Sequence, residues 1–207
     1  MNYNLPDIQV LESDKDYDFM LWRPDTRYIV LGRANNVESS VFTDMAQKDR
    51  VEIIKRPSGG ESVILTPSML VFSAKITMRQ HRNPSLIFEQ INKNLISSLT
   101  ILGIKDLHSK GISDISIGDK KIIGSSMYLK DKTLFYHAVL NINEDVRLIS
   151  RYLKHPLKEP QYRAGRPHKE FVTSLHNEGY RLDYLTVETS INSAFTNLFS
   201  QFGTNVK

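Results

Sequence analysis

The apolar period changes three times along the 207-residue chain, and this order of strand-like and helix-like stretches restricts the fold more than any other feature. FMLWR (19–23), RYIVLGR (27–33), VEIIKR (51–56) and MLVFSAKI (69–76) are short runs rich in β-branched and aromatic residues, and they read as neighbouring strands. At Asn83 the period becomes helical. Asn83 is placed as N-cap and Pro84 at the first helical position, followed by Leu86, Ile87, Ile91, Leu95, Leu99 and Leu102 at helical spacing up to Gly103. The strand period returns in DISIG, KKIIGSSMYL and TLFYHAVLNI, separated by GDK and KDK, which predicts an antiparallel meander. Asn143 is read as the cap of a short helix bearing Val146, Ile149, Tyr152 and Leu153. A last helix is expected from about Thr186, with Val187, Ile191, Phe195, Leu198 and Phe199 inward and Gly203 near its end. These signals predict an α+β fold, a mixed, largely antiparallel sheet with helices packed on it, in one domain over 1–207.

Composition removes several functions. Without cysteine there is no disulfide framework, thiolate metal site or cysteine nucleophile. The net charge of +4 is spread along the chain, so no nucleic acid partner is expected. No apolar stretch approaches the roughly 18 residues of a spanning helix. The opening MNYNLPDIQVLESDKDYDF has neither a basic nor an apolar leader region. A cytoplasmic protein without a membrane partner is expected.

Two constellations carry chemistry. RPSGGESVIL (56–65) sets Arg56, Ser58, Gly59 and Gly60 ahead of an apolar run. Paired glycines permit close backbone approach and offer N–H groups to an anion, and a guanidinium can grip a carboxylate or phosphate in a planar fork. The same stretch also fits a tight turn with a surface arginine. In GISDISIGDKKIIGSSMY (111–128), Asp114 lies in one strand, Lys120 and Lys121 open the next, and Gly124, Ser125 and Ser126 follow. A lysine held by a nearby carboxylate, beside small residues, can face a ligand; a charged hairpin is the alternative, favoured for Lys120. Residues 154–171 carry three prolines together with Arg163, Arg166 and His168, which marks a long loop and a candidate lid.

Four blocks, WRPDTRYIVLGRANNVESSV, VEIIKRPSGGESVIL, SDISIGDKKIIGSSMY and LFYHAVLNIN, resemble in order and spacing the lipoate–protein ligase family, over residues 20–175. The resemblance implies the fold shared by biotin ligases, lipoate ligases and octanoyl transferases. It implies lipoate as substrate with ATP and Mg²⁺, an acyl-adenylate intermediate, and transfer to a lysine of a lipoyl carrier domain. By the same resemblance Lys121 is the catalytic lysine, Arg56 lies near phosphate or carboxylate, and Ser58, Gly59 and Gly60 lie against the acyl chain. Asp114 stands near the lysine and an ATP-bound Mg²⁺, beside Gly124 and Ser125, and His137 follows in the next strand. Gly32, Arg33 and Asn36 shape a pocket wall, and Leu70, Phe72, Ile122 and Met127 are candidates to line an acyl tunnel.

The chain departs from the family pattern at Glu61, in place of a third glycine, at Leu65, in place of a histidine, and at Ser113, in place of an adenine-reading asparagine. It also lacks the family's helical Asn-Leu-Ala-x-Asp segment and is expected to be a short form without the C-terminal accessory domain, with a separate accessory chain as a candidate partner. The alternatives are a lipoyl or octanoyl transferase using a preformed activated donor, since the cysteine route is closed, and a non-catalytic binding homologue.

Overall fold

In the computed structural model of the chain, which describes residues 3–78 and 83–204, strand alternation decides what each sheet face touches. The elements are α1 (Ile8–Glu12), β1 (Tyr17–Trp22), β2 (Tyr28–Leu31), α2 (Val37–Ser40), α3 (Thr43–Lys48), β3 (Glu52–Lys55), β4 (Val63–Leu65) and β5 (Met69–Thr77). There follow α4 (Pro84–Ile101), β6 (Leu107–Lys110), β7 (Asp114–Ile117), β8 (Lys120–Lys130), β9 (Thr133–Asn141), α5 (Val146–Tyr152), α6 (His168–Phe171) and α7 (Tyr184–Thr204). One sheet of six strands, ordered β1-β5-β9-β8-β7-β6, is antiparallel throughout. A second sheet, ordered β3-β2-β4, pairs β2 parallel to β3 and antiparallel to β4.

The expected single mixed sheet is therefore two sheets. Period-2 runs identify strands without identifying partners, so the runs at 27–33 and 51–56 do not neighbour β1 and β5 as expected; they pair with each other, and the first of them also with β4. The β7–β8–β9 meander forms as predicted. The sequence reading missed β6, whose LHSK has exposed or half-exposed side chains and no apolar alternation.

Along β5, Leu70, Phe72, Ala74 and Ile76 face Ile87, Ile91, Leu95 and Leu99 of α4 and Val187, Ile191, Phe195 and Leu198 of α7 in one large core. Met69 and Val71, on the opposite face, join the smaller cores beneath the second sheet. Asn83 caps α4 as predicted, its side chain accepting a hydrogen bond from Ser85 N at 3.0 Å. Leu86 is 56% exposed, off the buried stripe. The cap of α5 is Asp145, which accepts from Arg147 N at 2.9 Å, and not Asn143, whose N–H instead donates to Ser68 O. α7 starts two residues earlier than expected, with Asp183 accepting from Thr186 N at 2.8 Å. No helix among the described residues is long and apolar enough to cross a membrane.

Phe195 joins the layers, with ring centroids 4.3 Å from Phe19, 5.9 Å from Phe72 and 6.0 Å from Tyr136. Its truncation in Phe195→Ala is expected to cost about 3–5 kcal/mol. In urea titration this appears as a lower midpoint at unchanged slope; a midpoint equal to the parent's contradicts it.

Candidate functional site

A cleft of about 550 Å³ is walled by β2 and β4 of the small sheet and β5, β8 and β9 of the large one, with residues 153–172 along one side. This is the size of a small-molecule site. One part is apolar, built from Leu5, Val30, Leu65, Met69, Val71 and Val139. Of the four residues expected to line a tunnel, Ile122 does so. Leu70 and Phe72 project to the helical core, one position out of phase with Met69 and Val71, and Met127 packs against that same core.

The other part is built around Lys121. The register of β7 against β8 passes from Ile115 opposite Ile123 to Ser116 opposite Lys121, leaving Ile122 as an extra residue. In a regular strand, residues 121 and 124 point to opposite faces. The bulge brings them to one side, and a Cβ on Gly124 would lie 3.4 Å from Lys121 Nζ. Lys121 Nζ is 3.6 Å from Asp114 Oδ2, with the two side chains 27% and 11% exposed. Val172 bridges Lys121, and Thr173 N–H donates to Lys121 O at 2.9 Å, so the lysine backbone is held from both sides. Lys120 is exposed and pairs with Glu178 at 3.3 Å, as its surface reading requires. Ser125 Oγ donates to Ser113 O at 2.7 Å.

Tyr162 O–H donates to Asp114 Oδ2 at 2.8 Å; burial, and then the adjacent carboxylate, push the phenol above its ordinary range. Asp114 Oδ1 makes no hydrogen bond among the described residues. No group of three metal-ligating side chains occurs among them, but a single carboxylate suffices for Mg²⁺ that arrives on a nucleotide and keeps its waters.

Arg56 lines the cleft, with the fork that its motif would offer an anion directed at its own loop. Its guanidinium is 6% exposed and turned into its own loop. Nε donates to Ser58 Oγ at 3.0 Å and Gly59 O at 3.2 Å, Nη2 to Gly59 O at 2.7 Å and Glu61 O at 2.8 Å, and Nη1 to Val30 O at 3.3 Å. With Nε and both Nη2 hydrogens taken, no two-pronged edge is left for a ligand. Burial pulls its pKa down to about 10, against the opposing pull of Tyr3 and Glu61. Ser126 Oγ also donates to Gly59 O, at 2.8 Å. Gly60, at φ +83°, takes the left-handed conformation that glycine allows without strain.

Of the residues expected at the site, Arg56, Gly60, Asp114, Lys121, Gly124, Ser125 and His137 line the cleft. Ser58 and Gly59 lie behind it. Arg33 and Asn36 are exposed on the surface and do not wall it. Gly32 does not line it either; a Cβ there would lie 1.9 Å from Gly60 O, so its role is close backbone packing. Asn35, missed by the sequence reading, does the local work: Oδ1 accepts from Gly32 N at 3.0 Å and Ser62 Oγ at 3.2 Å, and Nδ2 reaches Glu61 Oε2 at 3.4 Å.

A second buried network reaches the glycine loop from the N-terminal segment, where α1 forms despite the absent family motif. Asp7 is fully buried. Tyr3 O–H and Ser73 Oγ each donate to it at 2.6 Å, and His137 Nδ1 lies 3.7 Å away. His137 Nε2 meets Ser58 Oγ at 2.5 Å. Asp7, an acceptor only, faces Nδ1, so the ring proton belongs on that nitrogen and Nε2 is left to accept from the Ser58 hydroxyl. Burial raises the Asp7 carboxyl, but His137, Ser73 and Tyr3 outweigh it and hold the pKa below the usual range. Burial pushes His137 down, with Asp7 opposing only in part. Nε2 is thus engaged by Ser58 and Nδ1 faces Asp7, so His137 supports the glycine loop from a position in the cleft wall. Nothing in the local sequence around Asp7 marks this role.

Residues 6–196 match the family model described as the lipoyl protein ligase A/B catalytic domain. The chain is 30% identical, over 146 residues, to lipoate-protein ligase A of Psychrobacter cryohalolentis, covering 69% of this chain and 40% of that relative. A bi-partite lipoate protein ligase of Thermoplasma acidophilum, studied with its E2 lipoyl domain, superposes with a TM-score of 0.77 at 21% identity, over 90% of this chain and 72% of that one. A lipoate-protein ligase A bound with ATP gives 0.78 at 20% identity, over 94% and 78%. The likeness to the lipoate ligase fold expected from the sequence is thus borne out.

Two outcomes follow from the packing. Gly32→Ala should cost about 1–3 kcal/mol, because its neighbour is a backbone carbonyl that cannot swing aside; a thermal midpoint unchanged from the parent's is the contrary result. The folded-state pKa of His137 lies below its unfolded value, so its contribution is full above about pH 6.5 and declines as pH falls, where only the unfolded chain takes up the proton. Burial depresses His168 as well. Urea midpoints should therefore drop between about pH 7 and 5.5, with a shallower drop in His137→Gln that retains the His168 share; identical slopes count against this account.

Proposed function

The chain belongs to the lipoyl protein ligase A/B catalytic-domain family, and from that premise we propose that it condenses lipoate with ATP to lipoyl-adenylate and transfers the lipoyl group to a lysine of a lipoyl carrier domain. The observation that carries this reading is the half-buried Lys121 amine, facing Asp114 at 3.6 Å at one part of a cleft whose other part is apolar. Such a cleft matches an amphipathic acid, with its carboxylate at the ammonium and its chain against Val30, Leu65, Met69, Val71 and Val139.

In the first step a carboxylate oxygen attacks the α-phosphorus, and the bond to the bridging oxygen breaks with its electron pair leaving on pyrophosphate. Negative charge grows around the phosphorus, where a fixed ammonium in a dry cleft is worth most. In the second step the carrier amine attacks the acyl carbon, loses a proton, and AMP departs. Lys121 serves both steps without relocating. Asp114, through its free Oδ1, is the residue that would hold a nucleotide-borne Mg²⁺, which supplies neutralisation of phosphate charge.

The departures from the family pattern have defined places. Leu65 extends the apolar wall, Glu61 is tethered to Asn35 beside the glycine loop, and Ser113 lines the cleft. The bi-partite make-up of the Thermoplasma acidophilum ligase favours a second reading, transfer by this chain alone from a preformed lipoyl-adenylate. A separate accessory chain fits the proposal, given the bi-partite ligase of Thermoplasma acidophilum. An ATP-consuming reaction on a carrier domain fits the cytoplasm.

Mass spectrometry of a carrier domain incubated with this protein, ATP, Mg²⁺ and lipoate should show the added lipoyl mass. Modification from synthetic lipoyl-adenylate alone would select the second reading. Lys121→Ala should lower the rate about 10²–10³-fold with an unchanged circular dichroism spectrum; a parental rate removes the lysine from the mechanism.

A further inference from the structure

The segment from 154 to 168 holds cations that the binding of lipoate leaves without a partner. Besides Arg56, which its own loop consumes, the lysine and arginine side chains lining the cleft are Lys121, Lys154, Lys158 and Arg163; of these Lys154 is already committed, its Nζ donating to Glu38 O at 2.6 Å. Among the described residues only two carboxylates line it, Asp114 opposite Lys121 and Glu61 on the glycine loop. Arg163 is 4% exposed. Desolvating a guanidinium is costly unless it is compensated, and here compensation is incomplete. Nε donates to Arg166 O at 2.9 Å and lies 3.4 Å from Glu159 Oε2. That carboxylate is shared with His155 Nε2 at 3.0 Å and, through Oε1, with Gly165 N at 2.8 Å. Nη2 reaches His168 Nδ1 at 3.5 Å, and Nη1 makes no hydrogen bond among the described residues.

One ring gathers two of these charges together with that of Arg166. Arg163 lies 4.7 Å, Lys121 5.3 Å and Arg166 5.4 Å from the centroid of Phe171. The ring's faces attract each cation, but three like charges around one ring repel one another and focus a positive field into the adjoining cleft. Arg166 is committed to the segment itself, donating to the carbonyls of Arg163, Tyr162 and Asp119. His168 donates from Nε2 to Lys154 O at 3.1 Å, so its Nδ1 lone pair faces Arg163 and orients the guanidinium. Burial keeps this imidazole neutral by lowering its pKa.

We propose that Arg163 and Lys158 form a subsite for the pyrophosphate portion of the nucleotide, with His168 as the positioning residue for Arg163. This rests on the ATP-dependent reading above and adds the residues that receive its leaving group. When the bond between the α-phosphorus and the bridging oxygen breaks, the electron pair and the growing charge move onto pyrophosphate, away from Lys121 and toward these cations. The acyl-adenylate left behind carries one phosphate and no longer engages them.

The probe is inorganic pyrophosphate, titrated calorimetrically into the full chain, with AMP as the comparison ligand. Lys158→Gln alters an exposed side chain that leaves folding intact, and Arg163→Lys keeps the charge while losing the fork. Each should weaken pyrophosphate about tenfold or more, the scale of one lost charged hydrogen bond, and AMP less than twofold. Lys130→Gln, on a distant hairpin, should match the parent. In turnover, the ratio of the rate with ATP to the rate with synthetic lipoyl-adenylate should fall by the same factor. No binding of pyrophosphate by the parent, equal affinity in both variants, or a loss confined to AMP overturns the subsite. Failure of the ligase reading shows separately, as no lipoyl-adenylate formed from ATP, whereas the pyrophosphate titration tests these residues on its own.

Discussion

The site is organised by one buried cation whose charge is neutralised by backbone dipoles. Arg56 sits under the glycine loop and hydrogen-bonds the carbonyls of Val30, Gly59 and Glu61. A loop without side chains at Gly59 and Gly60 has no contacts of its own to define its path, and the guanidinium supplies them. Its planar fork, so often turned to substrate anions, is directed at the chain because the loop offers carbonyls at the right spacing. The surrounding parts are consistent with this: Gly32 stays small so that Gly60 can approach, and Asn35 ties Gly32, Ser62 and Glu61 together.

From that cation hydrogen bonds continue through Ser58 to His137, whose Nδ1 lies 3.7 Å from the Asp7 carboxylate, and Asp7 in turn accepts from Tyr3 and Ser73. These contacts join the N-terminal segment, β5, β9 and the loop after β3 in one polar network inside apolar surroundings. Hydrogen bonds and one close charge contact tie its members together, and a buried network of this kind favours one arrangement of its elements. The cleft wall that includes Leu5 is therefore held by the same bonds that hold the glycine loop.

The opposite side of the cleft follows a different rule. There the charges are in excess, gathered around Phe171 and covered by a segment whose own carbonyls absorb Arg166. Tyr162 fastens this segment to Asp114, the partner of Lys121. One side of the cleft is thus pre-satisfied by its own hydrogen bonds, and the other carries positive charge in excess, as the proposed pyrophosphate subsite requires. This division suits a reaction that places an apolar acid against one wall and expels pyrophosphate along another.

The amino-acid order by itself determined most of the strands, α4 with its Asn83 cap, the β7–β8–β9 meander and the grouping of Asp114, Lys121 and Gly124, since these depend on local period, capping and turn chemistry. It also singled out the glycine stretch, though not the direction in which Arg56 points. Only the tertiary structure decided that β2, β3 and β4 form a separate sheet, that Met69 and Val71 face the cleft while Leu70 and Phe72 do not, and that Asp7 supports His137. It decided too that the extra residue Ile122 turns Lys121 to the side of Gly124. The reason is physical: strand partners, bulges and the burial of charge are settled by contacts between residues far apart in the chain, and a local pattern of side chains carries no record of what it will meet.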